Sequence, residues 1–147
     1  MTGAPASFDY VVDASVGIKL FLAEPLSEEV HALFAHLSDD PPARLYVPEL
    51  FFIECANILW KYVRRFDYPA GDALQDIGNL VQLPLQRVSM AALAEAALAV
   101  ATQYGSTTYD SAYVVLAQRL ELPLITADEA LVRRFADTGL DVRLLEA

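Results

Sequence analysis

Residues 8–13, Phe-Asp-Tyr-Val-Val-Asp, combine a short apolar run with a terminal acid, which is typical of a buried strand in a parallel sheet. From 14 to 22 the apolar spacing becomes compatible with a helix. Strands are also predicted at 45–47, 85–88, 123–126 and 142–145, and helices at 27–37, 49–65, 70–81, 91–104, 109–120 and 129–136. Ser27 and residues 106–108 are predicted to cap helices through their hydroxyls. This alternation predicts an α/β fold with helices on both faces of a parallel sheet.

The length of 147 residues and the hydrophobic content of 55% predict one domain with one core. We expect residues 1–147 to form this domain, with residues 1–7 as a flexible tail. The first seven residues carry no positive charge, so no secretory signal is predicted. The most apolar long stretch, 88–101, is shorter than a bilayer span and contains Glu95, which predicts a core helix and no membrane partner.

The chain has a single cysteine, Cys55, so an internal disulfide is impossible. Its apolar neighbours predict a buried thiol, and a reducing compartment fits this cysteine use. We therefore expect a cytoplasmic protein.

The formal net charge is -10, from 10 lysines and arginines against 20 aspartates and glutamates. Such acidity is unusual for a protein that binds nucleic acid, because affinity for phosphates comes largely from basic residues. The objection weakens if part of the negative charge is clustered to hold cations, since a bound metal reverses the local field. The charge also fits a basic protein partner.

Two acids follow predicted strands. Asp13 ends the first strand, and Asp128 lies two residues beyond the strand 123–126. In open parallel sheets, ligands bind outside the carboxyl ends of the strands, where the strand order reverses. Taken singly, both are also good helix caps, and Asp110 lies in a first turn where negative charge suits the helix dipole.

Glu54 lies in an apolar helix, where its carboxylate would be desolvated unless it is paired or coordinated. Asn57 follows three residues later, so its amide shares a helix face with Glu54. Ser15 and Thr126 each lie two residues from an acid and could support it through their hydroxyls. Capping or turn bonding explains these three polar residues as well.

Carboxylate oxygens suit Mg²⁺ or Mn²⁺, and one or two such ions can activate water and stabilise the leaving oxygen of a phosphodiester. No side-chain nucleophile is then needed. The sequence contains no Gly-x-Ser-x-Gly elbow, Walker loop, Gly-x-Gly-x-x-Gly fingerprint or cysteine cluster. His31 and His36 are five residues apart, which turns them to different helix faces and indicates surface residues.

Phosphate contacts are possible at Lys61, Arg64 and Arg65, which lie on the predicted Glu54 helix at same-face intervals. Arg133 and Arg134 follow the Asp128 turn and could serve the same purpose. A helix C-terminus also favours cations, and this explains Arg64 and Arg65 equally well.

Four segments together resemble the PIN-domain ribonucleases, and specifically the VapC-like toxins of bacterial toxin-antitoxin pairs. They are 11–15 (Val-Val-Asp-Ala-Ser), 46–57 (Tyr-Val-Pro-Glu-Leu leading to Glu-Cys-Ala-Asn), 107–113 (Thr-Thr-Tyr-Asp-Ser-Ala-Tyr) and 124–128 (Leu-Ile-Thr-Ala-Asp). The resemblance runs through nearly the whole chain in order.

The resemblance implies a PIN-like three-layer α/β/α fold whose central parallel sheet has about five strands in the order 3-2-1-4-5. It implies one or two Mg²⁺ or Mn²⁺ ions bound by Asp13, Glu54, Asp110 and Asp128. It further implies endonucleolytic cleavage of RNA, a homodimer, and a VapB-like antitoxin that occupies the active-site groove.

Two other functions fit parts of the sequence. A phosphatase or receiver-like phosphoryl-transfer domain would also carry an acid after its first strand. However, Ser15 stands where the phosphatase pattern has a second acid, and the last lysine is Lys61 although both classes use a later one. A noncatalytic PIN-like interaction module fits the apolar helix 51–60 and the net charge.

Overall fold

The computed structural model describes residues 8–147 and contains one five-stranded parallel sheet. Its strands are β1 (Tyr10–Val12), β2 (Leu45–Pro48), β3 (Gln86–Val88), β4 (Leu124–Thr126) and β5 (Val142–Leu144). The spatial order is β3-β2-β1-β4-β5. This order and the flanking helices confirm the predicted three-layer α/β/α fold. The flexible tail predicted for residues 1–7 lies outside the described residues.

The helices of the described chain are α1 (Ala14–Gly17), α2 (Ser27–Ala35), α3 (Leu50–Arg65), α4 (Ala70–Gln82), α5 (Met90–Tyr104), α6 (Thr108–Leu120) and α7 (Glu129–Phe135). Short 3-10 turns follow α1 at Ile18–Leu20 and α2 at His36–Ser38. The helix predicted for residues 14–22 is therefore shorter than expected and tightens into a 3-10 turn.

The core is built on β1 and α6. Val11 and Val12 of β1 are completely buried, as expected for a central strand of a parallel sheet. Helix α6 packs against β1 and β2, and its residues 111–117 are all buried. Asp110 lies one residue before this buried stretch, so the protein core fixes the helix that carries it.

Of the two predicted hydroxyl caps, the structure corrects the one at Ser27 and confirms the one within residues 106–108. Ser27 does not cap α2, because Leu26 occupies that position with a left-handed backbone, φ 68°. The Ser27 hydroxyl instead donates to the Leu22 carbonyl oxygen at 3.0 Å. At α6 the capping residue is Thr107, whose Oγ1 accepts a hydrogen bond from the Asp110 backbone N–H at 3.1 Å.

The structure confirms a helix within the segment 88–101 but places only one of its faces in the core. In α5 only Leu93 and Ala97 are buried, and Leu98 is 57% exposed. Alanine gives this segment its high hydropathy and its strong helix propensity, but it buries little area on a helix surface. No helix within residues 8–147 is long and apolar enough to cross a bilayer. Cys55 is buried, as predicted.

Gly17 allows α1 and α3 to approach closely. A Cβ atom at this position would lie 2.5 Å from Cζ of Phe51, well inside van der Waals contact. Phe51 is completely buried, so its ring has no space into which to move. Asp13 caps α1, and Glu54 lies three residues after Phe51 on α3. The contact between Gly17 and Phe51 therefore helps to set the spacing of these two acids.

Candidate active site

The structure brings the four acids singled out in the sequence to one open cavity of about 480 Å³: Asp13, Glu54, Asp110 and Asp128. Strands β1 and β4 are neighbours, with Val12 paired to Ile125, so the acids that follow them meet at the carboxyl edge of the sheet. Helices α3 and α6 supply the other two acids.

Asp13 is the most enclosed of these acids, with 8% of its surface exposed. The Ser15 hydroxyl donates to its Oδ1 at 2.6 Å, and the Thr126 hydroxyl donates to its Oδ2 at 2.5 Å. The Val16 backbone N–H also donates to Oδ1, which caps α1. Burial raises the pKa of Asp13 to about 6, even though these hydrogen bonds oppose the rise.

The same two hydroxyls tie Asp13 to the loop that follows β4. Ser15 Oγ accepts a hydrogen bond from the Ala127 backbone N–H at 2.9 Å, and Thr126 Oγ1 accepts one from that of Asp128 at 3.1 Å. Thr126 is completely buried. Ser15 and Thr126 thus hold two segments of the cavity together.

Glu54 is half-buried on α3 and accepts a hydrogen bond from the hydroxyl of Tyr113, with 2.5 Å between the oxygens. Burial raises the pKa of Glu54, the hydrogen bond from Tyr113 opposes the rise, and the negative charge of Asp110 adds to it. Asn57 lies one turn further along α3, is exposed, and lines the same cavity.

Asp110 and Asp128 complete the set. Burial raises the pKa of Asp110, the charge of Asp128 adds to this, and the positive charge of Arg134 opposes it. Asp128 is exposed and caps α7, because its Oδ1 accepts hydrogen bonds from the backbone N–H groups of Ala130 and Leu131 at 2.9 and 3.3 Å. Both acids therefore lie at the start of a helix and also line the cavity.

The donor set suits a hard divalent cation. Four carboxylates line one cavity together with the Asn57 amide, and oxygen ligands of this kind are those that Mg²⁺ and Mn²⁺ prefer. Within residues 8–147, we find no three histidine, cysteine, aspartate or glutamate side chains that are already close enough together to bind one metal ion. Like charges in one cavity repel, so closer approach of these oxygens requires a cation or protons. The chemistry of the residues fits the ion, and the side chains must adjust to bind it.

Comparison with known proteins identifies the family. Residues 10–137 match the PIN domain family. The chain is also 32% identical over 128 residues to ribonuclease VapC3 of Pyrobaculum aerophilum, covering 85% of this chain and 93% of that protein. The chain belongs to the PIN-domain family.

Solved structures resemble this PIN domain along most of its length. The crystal structure of PAE2754 from Pyrobaculum aerophilum has a TM-score of 0.69 and 25% identity, covering 97% of this chain and 88% of that one. A toxin-antitoxin complex from Klebsiella pneumoniae has a TM-score of 0.64 and 19% identity, covering 91% and 95% of the two chains. The second similarity shows the fold alone.

Of the three basic residues of α3 that are predicted to contact phosphates, one lines the cavity and two do not. Lys61 lies seven residues after Glu54 on α3, which is two helical turns, and lines the cavity. Arg64 and Arg65, which we also predicted to contact phosphates, lie beyond the cavity lining, because α3 continues past it. The Arg64 guanidinium instead lies over the Trp60 ring, 5.6 Å from its centroid.

Neither of the two arginines of α7 is among the residues that line the cavity. Arg133 pairs with Glu129 on its own helix at 3.7 Å. Arg134 donates to the Tyr104 carbonyl oxygen at 3.2 Å, and its charge reaches Asp110. Neither His31 nor His36 lines the cavity, and the His36 Nδ1 lies 2.7 Å from Asp39 Oδ2.

Tyr113 is a cavity residue that the sequence patterns did not single out, although it belongs to the segment 107–113 that carries the resemblance. Its side chain lines the cavity and contacts Glu54 from a helix far away in the chain. The spacing of three residues from Asp110 was the available signal, because it places Tyr113 on the same helix face.

Proposed function

We propose that this PIN domain is a VapC-like endoribonuclease that hydrolyses RNA phosphodiester bonds with the help of Mg²⁺ or Mn²⁺. The observation that carries the proposal is the convergence of Asp13, Glu54, Asp110 and Asp128 on one cavity at the carboxyl edge of the sheet. The 32% identity to ribonuclease VapC3 supports RNA as the substrate.

The four acids would hold one or two divalent cations, with the Asn57 amide beside them. When bound, such ions supply the Lewis acidity that activates water and stabilises the leaving oxygen of a phosphodiester. The chain contributes orientation, since Ser15 and Thr126 hold both oxygens of Asp13.

A carboxylate of the cavity that is not bound to a cation would accept the proton of the attacking water. In the ion-free site, burial raises the pKa of both Glu54 and Asp110. Both are half-buried at the cavity, where water and an RNA phosphate have access. Asp13 is more enclosed, and three hydrogen bonds already fix its carboxylate, which suits it to act as a ligand of the metal ion.

Lys61 is the cavity residue suited to bind an RNA phosphate. Replacement by glutamine is expected to raise KM for RNA about five- to tenfold with little change in kcat, because a substrate phosphate loses one contact before and during the reaction. Arg65→Gln on the same helix, outside the cavity, is the matched control and is expected to change KM less than twofold. Steady-state kinetics at two salt concentrations measures both effects. Equal effects of the two substitutions would exclude this role for Lys61.

The cleavage test compares the native protein with Asp110→Asn on RNA, with Mg²⁺ or Mn²⁺ and with EDTA. Cleavage is expected with the ions only, and at least a thousandfold less in the variant, because one ligand and proton acceptor loses its charge. Glu95→Gln, at an exposed position of α5, is the control and should cleave normally. Cleavage that is indifferent to EDTA and to Asp110→Asn would contradict the proposal.

The same test separates the two other functions. A noncatalytic interaction module would show no cleavage while remaining folded. A phosphoryl-transfer domain would form a stable phosphate on Asp13 after acetyl phosphate treatment, which mass spectrometry detects.

We further propose that the protein forms a homodimer and binds a VapB-like antitoxin at the cavity groove. The relative is named VapC3, and a structural neighbour is described as a toxin-antitoxin complex. The net charge of -10 favours a basic partner segment. Light scattering of the purified protein, alone and with the product of the adjacent reading frame, tests both associations.

A further inference from the structure

Tyr113 is a buried polar residue at the edge of the cavity. Its side chain is 1% exposed and is among the largest fully buried ones, so the ring cannot turn away. Helix α6 carries it three residues after Asp110, and both residues line the same cavity. Its hydroxyl donates to Glu54 Oε1 at 2.5 Å, which joins α6 to α3.

The hydrogen bond restricts a side chain that is otherwise mobile. Glutamate has three rotatable side-chain bonds, and Glu54 is only half-buried, so packing alone does not select one rotamer. The Tyr113 bond occupies Oε1 and leaves Oε2 without a hydrogen-bond partner among the described residues.

The arrangement parallels that of Asp13. That carboxylate is held by hydroxyls from two other positions, Ser15 and Thr126. Glu54 is held by a hydroxyl from another helix. In metal sites, hydrogen bonds to ligating groups orient them, and their loss typically costs about 10- to 100-fold in affinity or activity.

We infer that Tyr113 is a positioning residue whose hydroxyl fixes the Glu54 carboxylate, so that its free oxygen is available to a divalent cation. The inference rests on the proposed function, because it assumes that Glu54 is a metal ligand. Tyr113 itself acts through Glu54.

Mn²⁺ binding measured by calorimetry tests the inference with four proteins: native, Tyr113→Phe, Glu54→Gln and the double variant. Tyr113→Phe is expected to weaken Mn²⁺ binding about tenfold. In the Glu54→Gln background the same change is expected to have no further effect, because Tyr113 acts only through the carboxylate. Tyr62→Phe is the control, since the Tyr62 hydroxyl donates to Glu24 at 2.6 Å outside the cavity. It should leave Mn²⁺ binding unchanged.

Two results would overturn the inference while leaving the proposed function intact: equal Mn²⁺ affinity of native protein and Tyr113→Phe, or an equal loss in both backgrounds. Absence of Mn²⁺ binding by the native protein would overturn both. Proton NMR of the native protein covers the case in which the variant does not fold. The Tyr113 hydroxyl resonance is expected to persist when Mg²⁺ is added, and its loss would show that Glu54 leaves Tyr113 to bind the ion, which also overturns the inference.

Discussion

Asp13→Asn is expected to abolish RNA cleavage and, in the metal-free protein, to raise the free energy of unfolding by about 1 to 3 kcal/mol near neutral pH. Cleavage should fall at least a thousandfold, because the most enclosed carboxylate of the site loses its charge. Stability should rise because the charged carboxylate is desolvated in the folded protein, whereas asparagine has no charge to bury. The asparagine oxygen can still accept the bonds from Ser15 and Val16.

The pH dependence of this gain follows from the direction of the Asp13 pKa. Folding raises it from its usual 3.8 to about 6, so the folded state binds the proton more tightly than the unfolded state. At a pH below about 4, the Asp13 charge therefore does not lower the free energy of unfolding. Between about pH 4 and pH 6 it lowers this free energy by a growing amount, and above about pH 6 the amount is constant. The full difference between the two pKa values corresponds to about 3 kcal/mol in the free energy of unfolding.

Urea unfolding in EDTA at several pH values measures this prediction. The gain from Asp13→Asn should be largest near neutral pH and should vanish near pH 4, at the usual pKa. Glu95→Gln removes an exposed acid and should leave the unfolding free energy within about 0.5 kcal/mol of the native value at every pH. A variant that is less stable than the native protein at neutral pH would contradict this account of Asp13.

Gly17→Ala is expected to lower the free energy of unfolding by about 1 to 3 kcal/mol, the usual cost of overpacking. Its Cβ would lie 2.5 Å from Cζ and 2.7 Å from Cε1 of the buried Phe51 ring. Since α3 must then move away from α1, the spacing of Asp13 and Glu54 changes, and RNA cleavage should fall at least about tenfold. Urea unfolding and the cleavage rate of the folded fraction measure the two effects.

Gly78→Ala is the matched control, because both glycines lie in helices. A Cβ at Gly78 meets nothing within 4 Å. Alanine should therefore raise the free energy of unfolding by about 0.5 to 1 kcal/mol through its helix propensity and leave cleavage unchanged. If Gly17→Ala and Gly78→Ala changed the free energy of unfolding in the same direction, close packing of α1 on α3 would not be the cause of the Gly17→Ala effect.

The parts of the fold that sequence reasoning predicted depend on local patterns. The buried strand ending at Asp13 and the strand before Asp128 are visible as apolar runs followed by an acid. The order of the strands came from the resemblance to PIN domains, and the sheet confirms it. The helix at 88–101 was expected in the core because alanine counts as apolar, whereas burial depends on side-chain size and on what lies opposite.

Contacts between distant elements were not predictable in this way. The bond between Tyr113 and Glu54 joins residues 59 positions apart, and no local pattern indicates it. The same holds for the approach of Gly17 to Phe51. Lys61, Arg64 and Arg65 all share a helix with Glu54. Only the tertiary structure shows that the cavity includes Lys61 and ends before the two arginines.

The most direct test of the central claim is anomalous diffraction from crystals of this protein grown with MnCl₂. We expect one or two Mn²⁺ peaks in the cavity, in contact with carboxylate oxygens of Glu54 and of the three aspartates, Asp13, Asp110 and Asp128. A map without manganese in the cavity, or one in which Glu54 points away beyond reach of an ion that the aspartates bind, would contradict it.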